Sequence, residues 1–190
     1  MSSSNYVPKI VLFSGSKRTG SINQNLVNAM AHLFKEAGAK PVKISLADYD
    51  MPIFCEDWES ENGVPKTTKS LVRKLKNADG VFIASPEYNG CMPALLKNTI
   101  DWSSRTGSDH FKMPVYGIGS ATPGALSGIM VLRQLHFILC RLGATVVNAH
   151  LGAGGANALF DKKGRFVEGR TKQLAQTLVS QMMDEITRRQ

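Results

Sequence analysis

The chain reads as an α/β protein, a three-layer sandwich around a five-stranded parallel sheet in the order 2-1-3-4-5. Three observations predict it. Five short apolar runs alternate with five stretches of helical period, and each run opens into a turn-rich loop before its helix. Two-residue hairpin turns, which antiparallel neighbours need, do not separate these runs, so the connections read as crossovers. A length of 190 residues with 43% apolar side chains supports one sizeable core and would cramp two.

The first run, Lys9 to Ser14, ends in Gly15-Ser-Lys-Arg-Thr-Gly20, and Leu26, Met30, Leu33 and Phe34 then recur at helical spacing up to Gly38. Val42 to Leu46 reads as the second strand. Asp48 to Gly63 is an irregular acidic stretch holding Met51, Pro52, Phe54 and Trp58, and a second helix follows from Pro65 to Asn77. Val81 to Ala84 is the third strand, opening into Ser85-Pro-Glu-Tyr-Asn-Gly90 and a helix whose first turn tolerates Pro93, because the missing N–H would be unpaired anyway. Val115 to Gly119 is the fourth strand and Ser120 to Ser127 its loop. Ile129, Leu132, Leu135, Leu139 and Leu142 mark a long helix closing at Gly143. Thr145 to Val147 is a brief fifth strand, Gly152 to Gly155 a glycine-rich loop, and Phe166 to Arg189 a terminal helix. Residues 1–8 read as a disordered tail and 9–190 as one domain. In this strand order the switch point falls between strands one and three, so a ligand is expected across Ser14 to Asn23 and Ser85 to Cys91, with the loop after strand four alongside.

Ordinary apolar and charged usage excludes disordered, collagen-like and coiled-coil chains. The most apolar region, Met113 to Leu139, is broken by glycines, Pro123, Arg133 and His136, so no membrane span is expected. The polar N-terminus lacks an apolar signal core, and Cys55, Cys91 and Cys140 are too few and too irregular for a disulfide framework or zinc cluster; a cytoplasmic protein is expected. With 23 Lys and Arg against 15 Asp and Glu, the formal charge of +8 attracts anions. The cations are scattered without interleaved aromatics, which favours a phosphate-bearing small molecule over nucleic acid.

Small and hydroxylated residues in Gly15 to Asn23 let backbone N–H groups turn toward one point, and the positive end of the following helix adds to the pull on an anion. Ser21 with Gln24 also matches a capping box, which satisfies the helix without a ligand. Capping does not explain Lys17 and Arg18, two cations set against a helix end that disfavours them. Gly20 is followed by Ser21 and Ile22, so the triphosphate loop is excluded, and Lys17 stands where a dinucleotide fingerprint needs its second glycine. Phospho-accepting carboxylates are absent too, since Ser14 and Ser85 end strands one and three. In the second loop Tyr88 can face a flat ring, Asn89 can donate and accept, and turn N–H groups can hold ring oxygens. Pro-x-x-Asn-Gly is also plain turn chemistry.

Gly15-Ser-Lys-Arg-Thr-Gly-Ser-Ile-Asn23, Ser85-Pro-Glu-Tyr-Asn-Gly90 and Pro93-Ala-Leu-Leu-Lys-Asn-Thr-Ile-Asp-Trp102 resemble the flavodoxin-like NAD(P)H-dependent FMN reductases, the branch with chromate, quinone and azo-dye reductases. The resemblance runs from Lys9 to Val147 and includes Thr122 to Gly128. It implies FMN as cofactor, NADPH or NADH as co-substrate and small-molecule electron acceptors. It implies that Ser16, Arg18, Ser21 and Asn23 bind the FMN phosphate, with Ile22 also in the cofactor site, and that Pro86, Glu87, Tyr88 and Asn89 line the isoalloxazine mostly through main-chain atoms, with Gly90 letting the backbone approach. Ser120 and its loop would close the other side. Ser127 departs from the pattern, where the family often has the first glycine of a pair. The resemblance also implies a homodimer or homotetramer whose neighbouring chain walls the flavin, with Arg105 and the stretch Asp48 to Trp58 as the wall.

In such a protein the flavin carries the chemistry, so no catalytic acid, base or metal is assigned, and Tyr88 is a position from which a proton could reach a quinone oxygen. Two other classes share the fold: an electron-carrier flavodoxin, which the +8 charge suits poorly because its partners usually dock on acidic surface, and a flavin-binding regulatory module without turnover. The remaining residues read as structural. His136, on the long helix beside core leucines, reads as a core or surface histidine, His32, His110 and His150 share no metal-ligand spacing with a Cys or carboxylate, Cys91 reads as a buried small residue, and Met182 and Met183 as packing.

Overall fold

The computed structural model describes residues 6–190 as helices packed on both faces of a parallel sheet. In chain order the elements are β1 (Lys9–Ser14), α1 (Ile22–Glu36), β2 (Lys40–Lys43), α2 (Glu56–Asn62), α3 (Lys66–Lys76), β3 (Gly80–Ala84), α4 (Ala94–Ser104), α5 (Asp109–Lys112), β4 (Val115–Ala121), α6 (Ile129–Arg141), β5 (Thr145–Val146), β6 (Leu151–Ala153) and α7 (Arg170–Arg188). The sheet order is β2-β1-β3-β4-β5, as expected, and every pairing is parallel.

Alternation along the strands divides the core in two. Ile10 and Leu12 point to a layer with Leu26, Met30 and Phe34 of α1 and Leu178 and Met182 of α7. Val11 and Phe13 point to the opposite layer with Leu71, Leu96, Leu135 and Leu139. Strands covered on both faces must be apolar throughout, which is why β1, β3 and β4 carry near-continuous apolar runs. Gly117 lets α7 settle closely on β4, since a Cβ there would lie 2.5 Å from Met182 Sδ and 2.9 Å from Leu178 Cδ2.

Several boundaries differ from the sequence expectation, each for a local reason. The second strand is Lys40–Lys43, not Val42 to Leu46, because Ser45 Oγ accepts from the Ala47 N–H (3.2 Å) and starts a short turn that buries Leu46. The acidic stretch contains α2, whose first turn holds Glu56, Asp57 and Glu59, the charges a helix N-terminus favours. The fifth strand position is split. β5 pairs with the start of β4 and β6 with its end, Gly119↔Leu151 to Ala121↔Ala153, so Gly152 and Ala153 are strand rather than loop and β4 runs on to Ala121. The terminal helix begins at Arg170, four residues later than expected, while Phe166 bridges to Phe160 with ring centroids 5.5 Å apart. Residues 1–5 of the expected tail lie outside the described residues; Tyr6 OH donates to Asp79, and the Pro8 carbonyl accepts from Lys40 N–H (2.7 Å), so the rest of that tail is tied to the sheet.

His110, on α5, is 1% exposed, its Nε2 has no hydrogen-bond partner among the described residues, and its ring lies 4.0 Å from that of Phe111. Burial pushes it down from the ordinary 6.5 to about 4. Below pH 6.5 the unfolded chain therefore takes up a proton that the folded chain refuses, and stability falls as the pH drops toward 4. Urea unfolding should show a loss of roughly 2–3 kcal/mol across that window that is missing in His110→Phe; equal acid sensitivity of the two proteins would contradict this.

Candidate active site

The site grows from the carboxyl ends of β1, β3 and β4. Gly15 N–H donates to the Ala84 carbonyl (2.8 Å), which fixes the base of the first loop to the end of β3. Gly15 also lies so close to α4 that a Cβ there would be 3.1 Å from Leu96 Cδ2. Hydroxyls then fold the loop on itself. Ser16 N–H donates to Ser14 Oγ (3.2 Å), Arg18 N–H to Ser16 Oγ (3.2 Å), and Ser21 N–H to the Arg18 carbonyl (3.2 Å).

This route delivers the chain to α1 with its end bare. The capping box is not formed: Ser21 makes no side-chain cap bond, and the first turn holds no acidic residue. Among the described residues, the N–H groups of Ile22 and Asn23 have no acceptor, and Lys17 and Arg18, both exposed, form no ion pair. Asn23 differs from the expectation. Its side chain is 2% exposed and closed against β4, Nδ2 donating to the Ala121 carbonyl and Oδ1 accepting from Ala121 N–H, both at 2.9 Å. That amide holds the first turn of α1 in place, and only the Asn23 N–H remains for a ligand.

Across the β1–β3 junction, the second loop is a tight reversal. Tyr88 and Cys91 exchange both backbone hydrogen bonds (2.9 and 3.0 Å), and Asn89 and Gly90 sit between them at φ 52° and 76°, the left-handed pair that a type I′ turn requires. Tyr88 stands 51% exposed at its edge. Cys91 is exposed, not buried as the sequence suggested, because the turn holds it outside the core. Glu87 is committed to α6: its Oε2 accepts from the N–H groups of Met130 and Val131, both at 3.0 Å. The helix has left-handed Gly128 as N-cap and no side-chain cap of its own, so Glu87 supplies one from another loop. Gln134, a residue the sequence did not single out, completes the clasp. Its Nε2 donates to the Gly90 carbonyl (3.0 Å) and its Oε1 accepts from Met92 N–H (3.2 Å).

Ser120, expected at the mouth in the loop after the fourth strand, is wholly buried, because pairing with β6 extends β4 beyond it. Among the described residues its hydroxyl has no partner, and it lies under Gly128, where a Cβ would approach it to 2.0 Å. Ser127 adopts φ 57°, a left-handed conformation in which glycine is at ease and serine carries strain. The stretch Asp48 to Trp58 is bound to α4 of its own chain. Trp102 Nε1 donates to the Pro52 carbonyl (2.7 Å), Asn98 Oδ1 accepts from Phe54 N–H (2.8 Å), and Arg105 Nε pairs with Glu59 (2.8 Å). A groove of about 450 Å³ lies elsewhere, between α1 and the segment entering α7, but its cations Arg165 and Lys172 are already paired with Asp161 and Glu168.

Removing the borrowed cap should loosen α6. Glu87→Ala is expected to cost about 1–2 kcal/mol in urea unfolding, the range for loss of a helix cap; an unchanged midpoint would mean the two hydrogen bonds contribute nothing.

Residues 8–158 match the family described as NADPH-dependent FMN reductase. The chain is 34% identical over 150 residues to a quinone reductase of Escherichia coli (strain K12), covering 77% of each. It is 30% identical over 172 residues to an NAD(P)H-dependent FMN reductase of Pseudomonas aeruginosa, covering 88% of this chain and 89% of the relative. Its fold superimposes on FerB, a flavoenzyme NAD(P)H:(acceptor) oxidoreductase from Paracoccus denitrificans, with a TM-score of 0.79 at 23% identity over 96% of this chain and 98% of that one. With a bare helix end and an aromatic-edged turn at the switch point of a 2-1-3-4-5 sheet, and with a match over residues 8–158, the chain belongs to the NADPH-dependent FMN reductase family and takes FMN as its cofactor.

Proposed function

We propose that the chain is an NAD(P)H-dependent quinone reductase whose FMN lies across the β1 and β3 loops. The observation that carries this reading is the uncapped, acid-free N-terminus of α1 with two unpaired cations beside it. The phosphate takes the Ile22 and Asn23 N–H groups, the Ser16 and Ser21 hydroxyls and the Arg18 guanidinium. These are charge-assisted contacts, roughly twice as strong as neutral ones. The turn from Pro86 to Gly90 borders the ring chiefly through its backbone, because the Glu87 carboxylate is spent on α6. Ser120 lies beneath Gly128 at the floor. FMN held there by these residues would supply the redox chemistry, linking a nicotinamide donor to a small acceptor. Tyr88, exposed at the rim, is the group placed to give a proton to a reduced quinone oxygen.

Quinones are the first acceptor class because of the relatives' activity; chromate, azo dyes and ferric complexes belong in the same assay panel, with NADPH and NADH compared as donors. A homodimer or homotetramer is part of this reading, supported by Ile53, an apolar side chain left 87% exposed on the stretch expected to wall a neighbour's flavin. Cytoplasmic placement rests on three free cysteines.

Arg18→Ala should weaken FMN binding by about 1–3 kcal/mol, as for loss of a charge-assisted contact. Fluorescence quenching of FMN reads this directly, and an unchanged Kd would remove Arg18 from the phosphate site. An electron carrier or non-catalytic module would bind FMN yet fail to oxidise NADPH or NADH with benzoquinone present, and that result would overturn the enzymatic reading.

A further inference from the structure

A second group of reactive side chains lies away from the flavin cleft, on the far half of α6. Ten residues separate Cys140 from Met130 at the capped end, about 15 Å along a helix axis. His136 and Cys140 are one turn apart, and Cys140 Sγ lies 3.6 Å from His136 Nε2. The other nitrogen of that ring, Nδ1, is 3.1 Å from Nε2 of His150, on the segment between β5 and β6. The three side chains form a line and do not converge on one point as metal ligands do.

With both rings neutral, the protons can run along this line in either direction, and only one of the two lets His136 act as a base toward Cys140. His136 accepts the thiol proton at Nε2 only when its own proton is on Nδ1, and that proton is then donated to His150 Nε2. Burial, and then the neighbouring His136, push His150 below the ordinary histidine range, which favours its neutral form, able to accept at Nε2 when its own proton is on Nδ1. Cys140 is exposed. No acidic residue occurs in α6, Arg133 and Arg141 share its exposed side, and the Lys112 stem rests 3.1 Å from the Cβ position of Gly143 just beyond it. The negative end of the helix opposes a thiolate with about half an elementary charge, whereas a protonated His136 would face it with a full one. Cys55 and Cys91 are equally free and exposed, yet among the described residues neither has an imidazole in hydrogen-bond range, and the Cys91 thiol meets the neutral Gln134 amide, at 3.5 Å.

We propose that Cys140 is a nucleophilic thiol with His136 as its base, held by His150, and that it takes small disulfides in thiol–disulfide exchange. The thiol proton passes to His136 Nε2 and the sulfur attacks one sulfur of the disulfide. A new S–S bond forms as the incoming one breaks, and the departing thiolate recovers the proton from His136. Cys140 is oxidised to a mixed disulfide while the other half of the reagent is reduced to a thiol. The proposal does not depend on the flavin reading.

The test carries its own controls. The full chain is exposed to bis(2-hydroxyethyl) disulfide, a neutral reagent indifferent to the +8 charge, and modification of each cysteine is timed at neutral pH by acid quench and peptide mass spectrometry. Cys140 is expected to react at least about threefold faster than Cys55 or Cys91. His136→Asn should bring Cys140 to the control rates while leaving Cys55 and Cys91 unchanged; if those rates change and betray misfolding, His150→Asn gives the second reading and should slow Cys140 alone. A smaller advantage for Cys140, or one that survives the substitution in a folded variant, overturns the proposal.

Discussion

Everything at the ligand end of the molecule depends on an unsatisfied helix terminus held rigidly at the end of a buried strand. A helix leaves its first N–H groups without internal partners, and most chains satisfy them with a capping side chain or an acidic first turn. This one does neither at α1, and places Lys17 and Arg18 nearby as well. In isolation such an end costs about 1 kcal/mol relative to a capped one. It becomes favourable only when an anion arrives. The terminus is also prevented from relaxing: the Gly15–Ala84 hydrogen bond fixes the loop at one end, and the Asn23–Ala121 amide pair fixes the helix at the other.

The second loop is held in the same spirit but from the opposite side of the sheet. Glu87 and Gln134 reach between the Tyr88 turn and α6 at four hydrogen bonds, so the turn and the helix after β4 move as one unit. The Glu87 carboxylate caps a helix, which leaves the turn its backbone and the exposed Tyr88 side chain. Rigid support of this kind is what keeps a cofactor edge in a fixed position relative to its phosphate.

Legibility in the sequence followed the range of the interactions. Apolar runs such as Lys9 to Ser14 and the helical leucines from Ile129 to Leu139 are local signals, and they were enough for the strand order and for the switch point where the two loops meet. The Asn89-Gly90 turn was readable for the same reason, because its backbone demand is met by those two residues. The functions of Asn23, Glu87 and Gln134 were not readable, since each bonds to a partner more than 40 positions away in the chain. Ser120 was misplaced because β6 is only three residues long, below what a periodic pattern can announce, yet its pairing with β4 carries that serine into the core. Ser45 and the acidic first turn of α2 were visible but compete with turn and loop readings that only packing resolves.

The central claim is that the first loop and the N-terminus of α1 receive the phosphate while the Tyr88 turn borders the ring. Titrating FMN into 15N-labelled protein and following the backbone amide resonances tests it most directly. The account predicts that the largest shifts fall on Ile22, Asn23 and their neighbours in the Gly15 to Asn23 loop, with a second group from Glu87 to Cys91. Shifts gathered elsewhere, for instance around His32 and Lys172 between α1 and α7, with the first loop unmoved, would contradict it.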